Sequence, residues 1–399
     1  MSRSLDAFAT EKLDALEAQD LRRRVTTTER TGVIEVTRNG RRMISFCCND
    51  YLNLSQHPAV KQAAKDAIDR MGVGSGSSRL VTGDHPLLPE LESRLARLKG
   101  TDDCCVMGSG FLTNSGVIPT LISDNDLVLA DEWSHACIIV GSRLSRGTIH
   151  LFRHNDLGHL RALLDKYRAS HDRCLVVTDG VFSMDGDLAP VHDMAALASE
   201  YDAWFMTDDA HGIGVVGAGG RGSTFTGGGK APVDLQMGTL SKAIGGYGGY
   251  LCASQPVIDL MRTRCRTFIY STGLPPATVA AAIAALDIIE NEPDYARLPV
   301  EKAQRFTRRL GLPLAESPIV PILLGDTART MAAQKALEDA GFLVVGIRPP
   351  TVPEGTARLR LTFTARHEDA DIDRLADLIA EKVLAGETSA GDEAFRATS

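Results

Sequence analysis

The sequence predicts an α/β fold, with a large domain on a mostly parallel sheet followed by a smaller α+β C-terminal domain. Three observations predict it. Short apolar runs of strand length, Asp126 to Ala130, Cys174 to Thr178, Trp204 to Thr207 and Gly248 to Ala253, are separated by helical or loop sequence. Such alternation implies parallel strands with helices on both faces. An alanine-rich stretch, Val279 to Asn291, reads as a long helical connector, and a chain of 399 residues, 44% of them hydrophobic, can bury the cores of two or three domains.

Taken in order, Leu5, Phe8, Leu13 and Leu16 keep near-helical spacing, which predicts an amphipathic helix that docks on the body or on a partner subunit. Asp6, Glu11, Lys12 and Asp14 interrupt any signal-peptide pattern, and no run approaches the roughly 18 apolar residues of a spanning helix. A cytoplasmic protein without membrane attachment is therefore expected. Residues 1–56 are expected to form the helix and an arm, 57–290 the large domain, 291–385 the small domain and 386–399 a loose polar tail. The small domain begins near Leu298, with strands around Ile319 to Leu324, Leu343 to Ile347 and Ala357 to Thr362, and closes on a helix from Asp369 to Leu384.

A net charge of -8 gives no global basic field for nucleic acid or an anionic membrane. The eight cysteines include the adjacent pairs Cys47, Cys48 and Cys104, Cys105 but no C-x-x-C, a pattern of reduced thiols, and no metal site is expected.

The richest segment chemically is MGTLSKAIGGYGGYL, Met237 to Leu251. Thr239 and Ser241 flank Lys242 with hydroxyl donors, and Gly245, Gly246, Gly248 and Gly249 allow close backbone approach. An amine held so suits a Schiff base with an aldehyde cofactor. By itself the segment reads rather as a surface lysine before a glycine-rich loop, and the rest of the chain reverses that preference. Upstream, VTDGVFSMDGDLAP (Val177 to Pro190) precedes WFMTDDAHGIG, where a strand-like run ends in Asp208, Asp209 and His211. Charges at the end of a buried strand are costly unless used, and strand carboxyl ends are where open α/β sheets bind ligands. A lysine for an aldehyde, a carboxylate for a ring nitrogen and donors for a phosphate form the set that pyridoxal phosphate needs. MGSGFLTN, Met107 to Asn114, supplies a phosphate candidate, because it precedes a predicted helix whose first N–H groups and dipole favour a dianion. Two other matches are discounted. GIGVVG (Gly212 to Gly217) runs on into loop composition with no helix to follow, and GGGKA (Gly227 to Ala231) lacks the first Walker glycine and its Ser or Thr.

The order GSGF, SHA, DGVFSMDGD, DDAHG, TLSKA resembles the α-oxoamine synthases, a branch of the fold type I pyridoxal-phosphate enzymes, from about Leu5 to about Val383. Within the branch, RTFIYSTGLPP (Arg266 to Pro276) and IRPPTVPEGTARLRL (Ile347 to Leu361) most resemble the member that condenses L-alanine with pimeloyl-CoA or pimeloyl-acyl-carrier protein for biotin synthesis. Siblings use glycine or serine with other acyl thioesters.

The resemblance implies a role for each matched residue. Lys242 carries the cofactor and moves the proton, Asp208 faces the ring nitrogen, His135 stacks on the ring and His211 donates to its phenolic oxygen. Asp209 is the rival carboxylate, but Asp208 has the family's three-residue spacing to His211. Gly110 and Phe111 match the phosphate loop, Ser183 and Thr239 assist, and Thr272 reaches the phosphate from a second subunit, so a homodimer with shared sites is implied. Arg348 matches the arginine that grips the amino-acid carboxylate. Asn49, Arg22 and Thr351 match substrate-side positions, although Arg23 and Arg24 are equally basic and a triple arginine run is usually a solvated face. Asp179 stands where many members have glutamate, and SGSSR (Ser75 to Arg79) replaces a more glycine-rich string. A nicotinamide-linked oxidoreductase is disfavoured for want of an acidic ribose partner, and a silent subunit by the intact Lys242, Asp208 and His211.

Overall fold

The structure is a computed structural model that describes residues 3–18 and 21–385; the tail expected at 386–399 lies outside them. Three short strands come first, β1 (Thr28–Arg30), β2 (Glu35–Arg38) and β3 (Arg41–Ser45). Seven follow, β4 (Asp103–Met107), β5 (Leu127–Asp131), β6 (Thr148–Phe152), β7 (Cys174–Asp179), β8 (Trp204–Asp208), β9 (Leu235–Thr239) and β10 (Gly249–Ala253). Four close the set, β11 (Ile319–Gly325), β12 (Phe342–Leu343), β13 (Val345–Ile347) and β14 (Ala357–Thr362). The described residues divide into two compact units, a larger one of Cys48–Pro321 and Thr362–Asp377, and a smaller one drawn from within 1–47, 322–361 and 378–385.

The larger unit is built on a seven-stranded sheet in the order β4-β10-β9-β8-β7-β5-β6. β10 runs antiparallel to both its neighbours, and the pairs from β9 through β8, β7 and β5 to β6 are parallel. The four apolar runs of the sequence are β5, β7, β8 and β10, each within a residue of the expected bounds. β5 and β7 are buried along their whole length, which is why they read as continuous apolar runs and not as alternating ones. Packing one side of the sheet are Leu88, Leu91 and Leu95 of one helix with Val279, Ala282 and Leu286 of another; Val117, Ile118, Ile138 and Met261 belong to a separate cluster with Val128, Val177 and Met206.

The alanine-rich helix spans Pro276–Asn291 and starts three residues earlier than its expected Val279, because Pro276 occupies the first turn, where a missing N–H costs nothing. The next helix, Pro293–Leu310, belongs to the larger unit and not to a C-terminal domain starting near residue 291. It buries Ala296, Ala303 and Phe306, and Arg305 and Arg309 pair with Asp373 and Asp377 on the closing helix.

In the smaller unit the sheets are β1-β2-β3-β12 and β11-β14-β13. The single strand expected over Leu343 to Ile347 is interrupted at Val344, so that Phe342 and Leu343 pair parallel with Ile44 and Ser45 while Val345 to Ile347 pair antiparallel with β14. The N-terminal helix, Ser4–Glu17, buries none of its residues, and Leu5 and Phe8 are 72% and 57% exposed. Among the described residues no helix is long and apolar enough to cross a membrane, and no cluster of His, Cys, Asp or Glu is arranged to hold a metal. None of the eight cysteines is joined in a disulfide.

Candidate active site

Adjacent strands of the larger unit bring their carboxyl ends to one place. Register sets Asp179, the last residue of β7, opposite Asp208, the last of β8, and Asp208 opposite Met237 of β9. Around these ends lies a cavity of about 210 Å³ lined by Ser109, Gly110, Phe111, His135, Cys137, Asp179, Val181, Asp208, Ala210, His211, Met237, Thr239, Ser241 and Lys242. Expected site residues from four separate stretches of sequence, Gly110 and Phe111, His135, Asp208 and His211, and Thr239 and Lys242, thus line one cavity, where an open α/β sheet places its ligands.

Asp208 is fixed from two directions. Asn114 Nδ2 donates to its Oδ2 at 2.6 Å, and the Ala210 N–H donates to its Oδ1 at 2.9 Å. Asp209, one residue on, turns the other way: both its side chain and that of Lys99 are fully buried, with Lys99 Nζ donating to Asp209 Oδ2 at 2.8 Å. Asp209 also accepts the Ser223 N–H, and it is not among the cavity residues.

His135 Nδ1 accepts the Cys137 N–H at 3.2 Å and lies 2.8 Å from Cys137 Sγ. Burial lowers its pKa, outweighing the pull of Asp208, and Lys242 lowers it further, so the imidazole is neutral near pH 7 with its remaining proton on Nε2. Its backbone N–H donates to Asp179 Oδ2 at 3.1 Å. Asp179 is held well above the ordinary carboxylate range, by burial first and by the charge of Asp208 second. Burial likewise pushes the Cys137 thiol up to about 12, which leaves it a packing group and weak donor. His211 Nδ1 lies 2.7 Å from Tyr51 Oη.

The helix Gly110–Leu121 starts at the cavity, capped by Ser109 Oγ, which accepts the Leu112 N–H at 3.1 Å. Thr239 Oγ1 donates to Gly248 O at 2.7 Å and lies 2.9 Å from Ser241 Oγ, closing the loop around Lys242. Gly245 holds that loop's turn at φ +74, and a Cβ there would sit 2.4 Å from Ser55 N.

Three expected residues of this unit are not on the cavity wall: Ser183, within the 181–188 turn, Thr272, in an isolated bridge with Ser78, and Asn49, whose Oδ1 accepts a long 3.4 Å hydrogen bond from Tyr51. Arg22, Arg348 and Thr351 lie in the smaller unit. There Arg22 and Arg348 line a separate cavity of about 1330 Å³, Arg22 pairs with Glu17 at 3.2 Å, and Arg23 Nη2 donates to Thr351 Oγ1 at 3.0 Å. Sequence reasoning missed Asn114 and Tyr51. Asn114 carried a signal, standing one helical turn after Gly110, and Tyr51 stood two residues from a chosen Asn49.

The sheet order and the lysine, carboxylate and histidines at its strand ends define a fold shared by a known class of enzymes. The chain belongs to the aminotransferase class I and II family, whose profile matches residues 41–379. Among its relatives, the 8-amino-7-oxononanoate synthase of Beijerinckia indica is 56% identical over 377 residues, 94% of this chain and 97% of that one. A solved serine palmitoyltransferase of Sphingomonas wittichii superposes with a TM-score of 0.88 at 31% identity, covering 94% of this chain and 97% of the other. The crystal structure of 8-amino-7-oxononanoate synthase from Francisella tularensis superposes with a TM-score of 0.73 at 27% identity, covering 86% and 98%.

Proposed function

We propose that this chain condenses L-alanine with a pimeloyl thioester, of coenzyme A or acyl-carrier protein, to give 8-amino-7-oxononanoate, carbon dioxide and the free thiol, using pyridoxal 5'-phosphate. The observation that carries the reading is the gathering of Lys242, Asp208, His211 and His135 around one cavity at the strand ends.

The residues present fit the cofactor. A carboxylate, a primary amine, a helix N-terminus and a neutral imidazole are the donors and acceptors that its ring nitrogen, aldehyde, phosphate and ring face require. Among the described residues Asn114 Oδ1 and Asp179 Oδ1 are buried with no hydrogen-bond partner, polar atoms left over for a bound group. Lys242 would hold the aldehyde, Asp208 the ring nitrogen, and Gly110, Phe111, Ser183 and Thr239 the phosphate, with Thr272 from a second copy. His135 would cover the ring face, and His211, whose Nδ1 lies 2.7 Å from Tyr51 Oη, would face the phenolic oxygen. When bound, the cofactor supplies an electron sink for negative charge at the Cα of alanine.

The chain's own groups do the rest. The Lys242 amine takes the Cα proton and later returns one, a task suited to an amine flanked by Thr239 and Ser241. Packing of the Asp208 carboxylate among Asn114, Cys137 and the Ala210 N–H fixes its direction, so that it would face the ring nitrogen without reorganising. Arg348, with its bidentate fork, is proposed for the alanine carboxylate, and Asn49, Arg22 and Thr351 for the substrate side. A homodimer is proposed because Thr272, which is not on the cavity wall of its own chain, would contribute from a second copy. Sedimentation equilibrium tests it, a monomer at micromolar concentration being the adverse result.

The deciding experiment mixes the protein, pyridoxal 5'-phosphate and pimeloyl-CoA with equal alanine, glycine and serine, and weighs the products. An alanine-pimeloyl product is expected. Product from glycine or serine alone transfers the chain to a sibling activity, and no product with any acyl thioester sinks the reading.

A further inference from the structure

His154 is held between carboxylates from two other loops. Its Nδ1 lies 3.2 Å from Asp131 Oδ1 and its Nε2 lies 2.8 Å from Asp187 Oδ2, with Asn155 Nδ2 at 3.3 Å from the same Nε2. A neutral imidazole has one N–H, so serving both carboxylates requires both ring nitrogens protonated. Trp133 stacks on the ring at 4.0 Å with 17° between planes, and Phe182 meets it at 4.3 Å and 85°. An aromatic face against a cation is attractive. Burial alone would lower the His154 pKa and is the largest single influence, yet the hydrogen bonds and charges of Asp131 and Asp187 together lift it to about 9.

Each carboxylate anchors a loop that carries a proposed cofactor residue. Asp131 ends β5; its Oδ1 also accepts the Trp133 N–H at 2.8 Å, its Oδ2 accepts the Asn155 N–H at 2.8 Å, and its backbone oxygen accepts the Ser134 N–H at 3.1 Å. The next residue is His135. On the other side Asp187 belongs to the turn that carries Ser183; its Oδ2 also accepts from Asn155 Nδ2 at 3.0 Å, and its backbone oxygen accepts the Phe182 N–H at 3.0 Å. His154 itself is not on the cavity wall.

We propose that His154, clamped as an imidazolium between Asp131 and Asp187, is a positioning residue that sets the His135 loop against the Ser183 loop and thereby shapes the cofactor site. The proposal rests on the reading of the Lys242 cavity given above. It explains why Trp133, 47% exposed, sits beside His135: its ring roofs the cation that holds the loop.

The test titrates pyridoxal 5'-phosphate into the full-length protein freed of cofactor, as wild type, His154→Gln and Asp187→Asn, and follows the visible circular dichroism. His154→Gln is expected to bind about tenfold more weakly or worse, the effect of losing charge-assisted hydrogen bonds, and at saturation to give a smaller dichroic band with an unchanged far-UV spectrum. Wild-type affinity and band in folded His154→Gln overturn the proposal. If that variant does not fold, Asp187→Asn decides, since it removes one carboxylate charge while the Asp131 contact stays; wild-type affinity and band there overturn the proposal too. A wild-type protein that takes up no cofactor would instead refute the reading of the cavity, and this inference with it.

Discussion

Lys99 Nζ donates to Asp209 Oδ2 at 2.8 Å with both side chains fully buried, so that of two adjacent acids at the end of β8 one is neutralised inside the protein and the other, Asp208, faces the cavity. Removing one partner of a buried pair leaves an uncompensated charge, which costs about 3–5 kcal/mol. Asp209→Asn should lower unfolding stability by that amount in a denaturant titration. Asp208→Asn should cost cofactor affinity more than stability, and the reverse order would exchange the two roles.

Lys242→Ala should abolish product formation. Borohydride should fix pyridoxal 5'-phosphate covalently to the wild type, seen as a mass increase, and not to the variant. A variant that still makes product from alanine would remove Lys242 from the chemistry.

Tyr51→Phe deletes the hydroxyl 2.7 Å from His211 Nδ1. One such bond contributes about 0.5–1.5 kcal/mol, so kcat/KM should fall by roughly 2–12-fold with the fold intact. Unchanged kcat/KM would mean that His211 is oriented by other contacts.

Gly245→Ala places a Cβ 2.4 Å from Ser55 N at a residue with φ +74. Because the obstacle is backbone, it cannot swing aside, and the penalty should exceed about 1 kcal/mol. A lowered melting temperature together with weaker cofactor uptake is expected, and an unaltered melt would show that the loop relaxes freely.

The groups facing His154 are the carboxylates Asp131 and Asp187, while Glu132 Oε1 accepts its backbone N–H. Its pKa is raised from 6.5 to about 9, so the stabilisation is complete below about pH 6.5 and is lost as pH rises through about 9. Cofactor-free wild type should therefore lose more unfolding free energy between pH 7 and pH 10 than His154→Gln does. Parallel pH curves for the two proteins would contradict the assignment.

β5, β7, β8 and β10 were legible because strands buried on both faces must be apolar throughout, and that demand is written locally. That Lys242, Asp208, His135 and His211 line one cavity could be expected for a related reason: each stands at or after an apolar run, in a motif shared with a known family. The split of 342–347 between two sheets was not legible. Phe342 and Leu343 pair with Ile44 and Ser45, nearly 300 residues away, and no local pattern encodes such a partner.

Local sequence thus sets where strands run and which reactive side chains terminate them, since burial and turn chemistry act on neighbouring residues. Tertiary structure supplies the physical reason that Asp208 and not Asp209 meets the cavity, and it alone decides whether His154 is a solvated histidine or a clamped one. Both outcomes depend on partners brought from distant segments, Lys99 for Asp209 and Asp131 with Asp187 for His154, and on the low dielectric in which those partners enclose them.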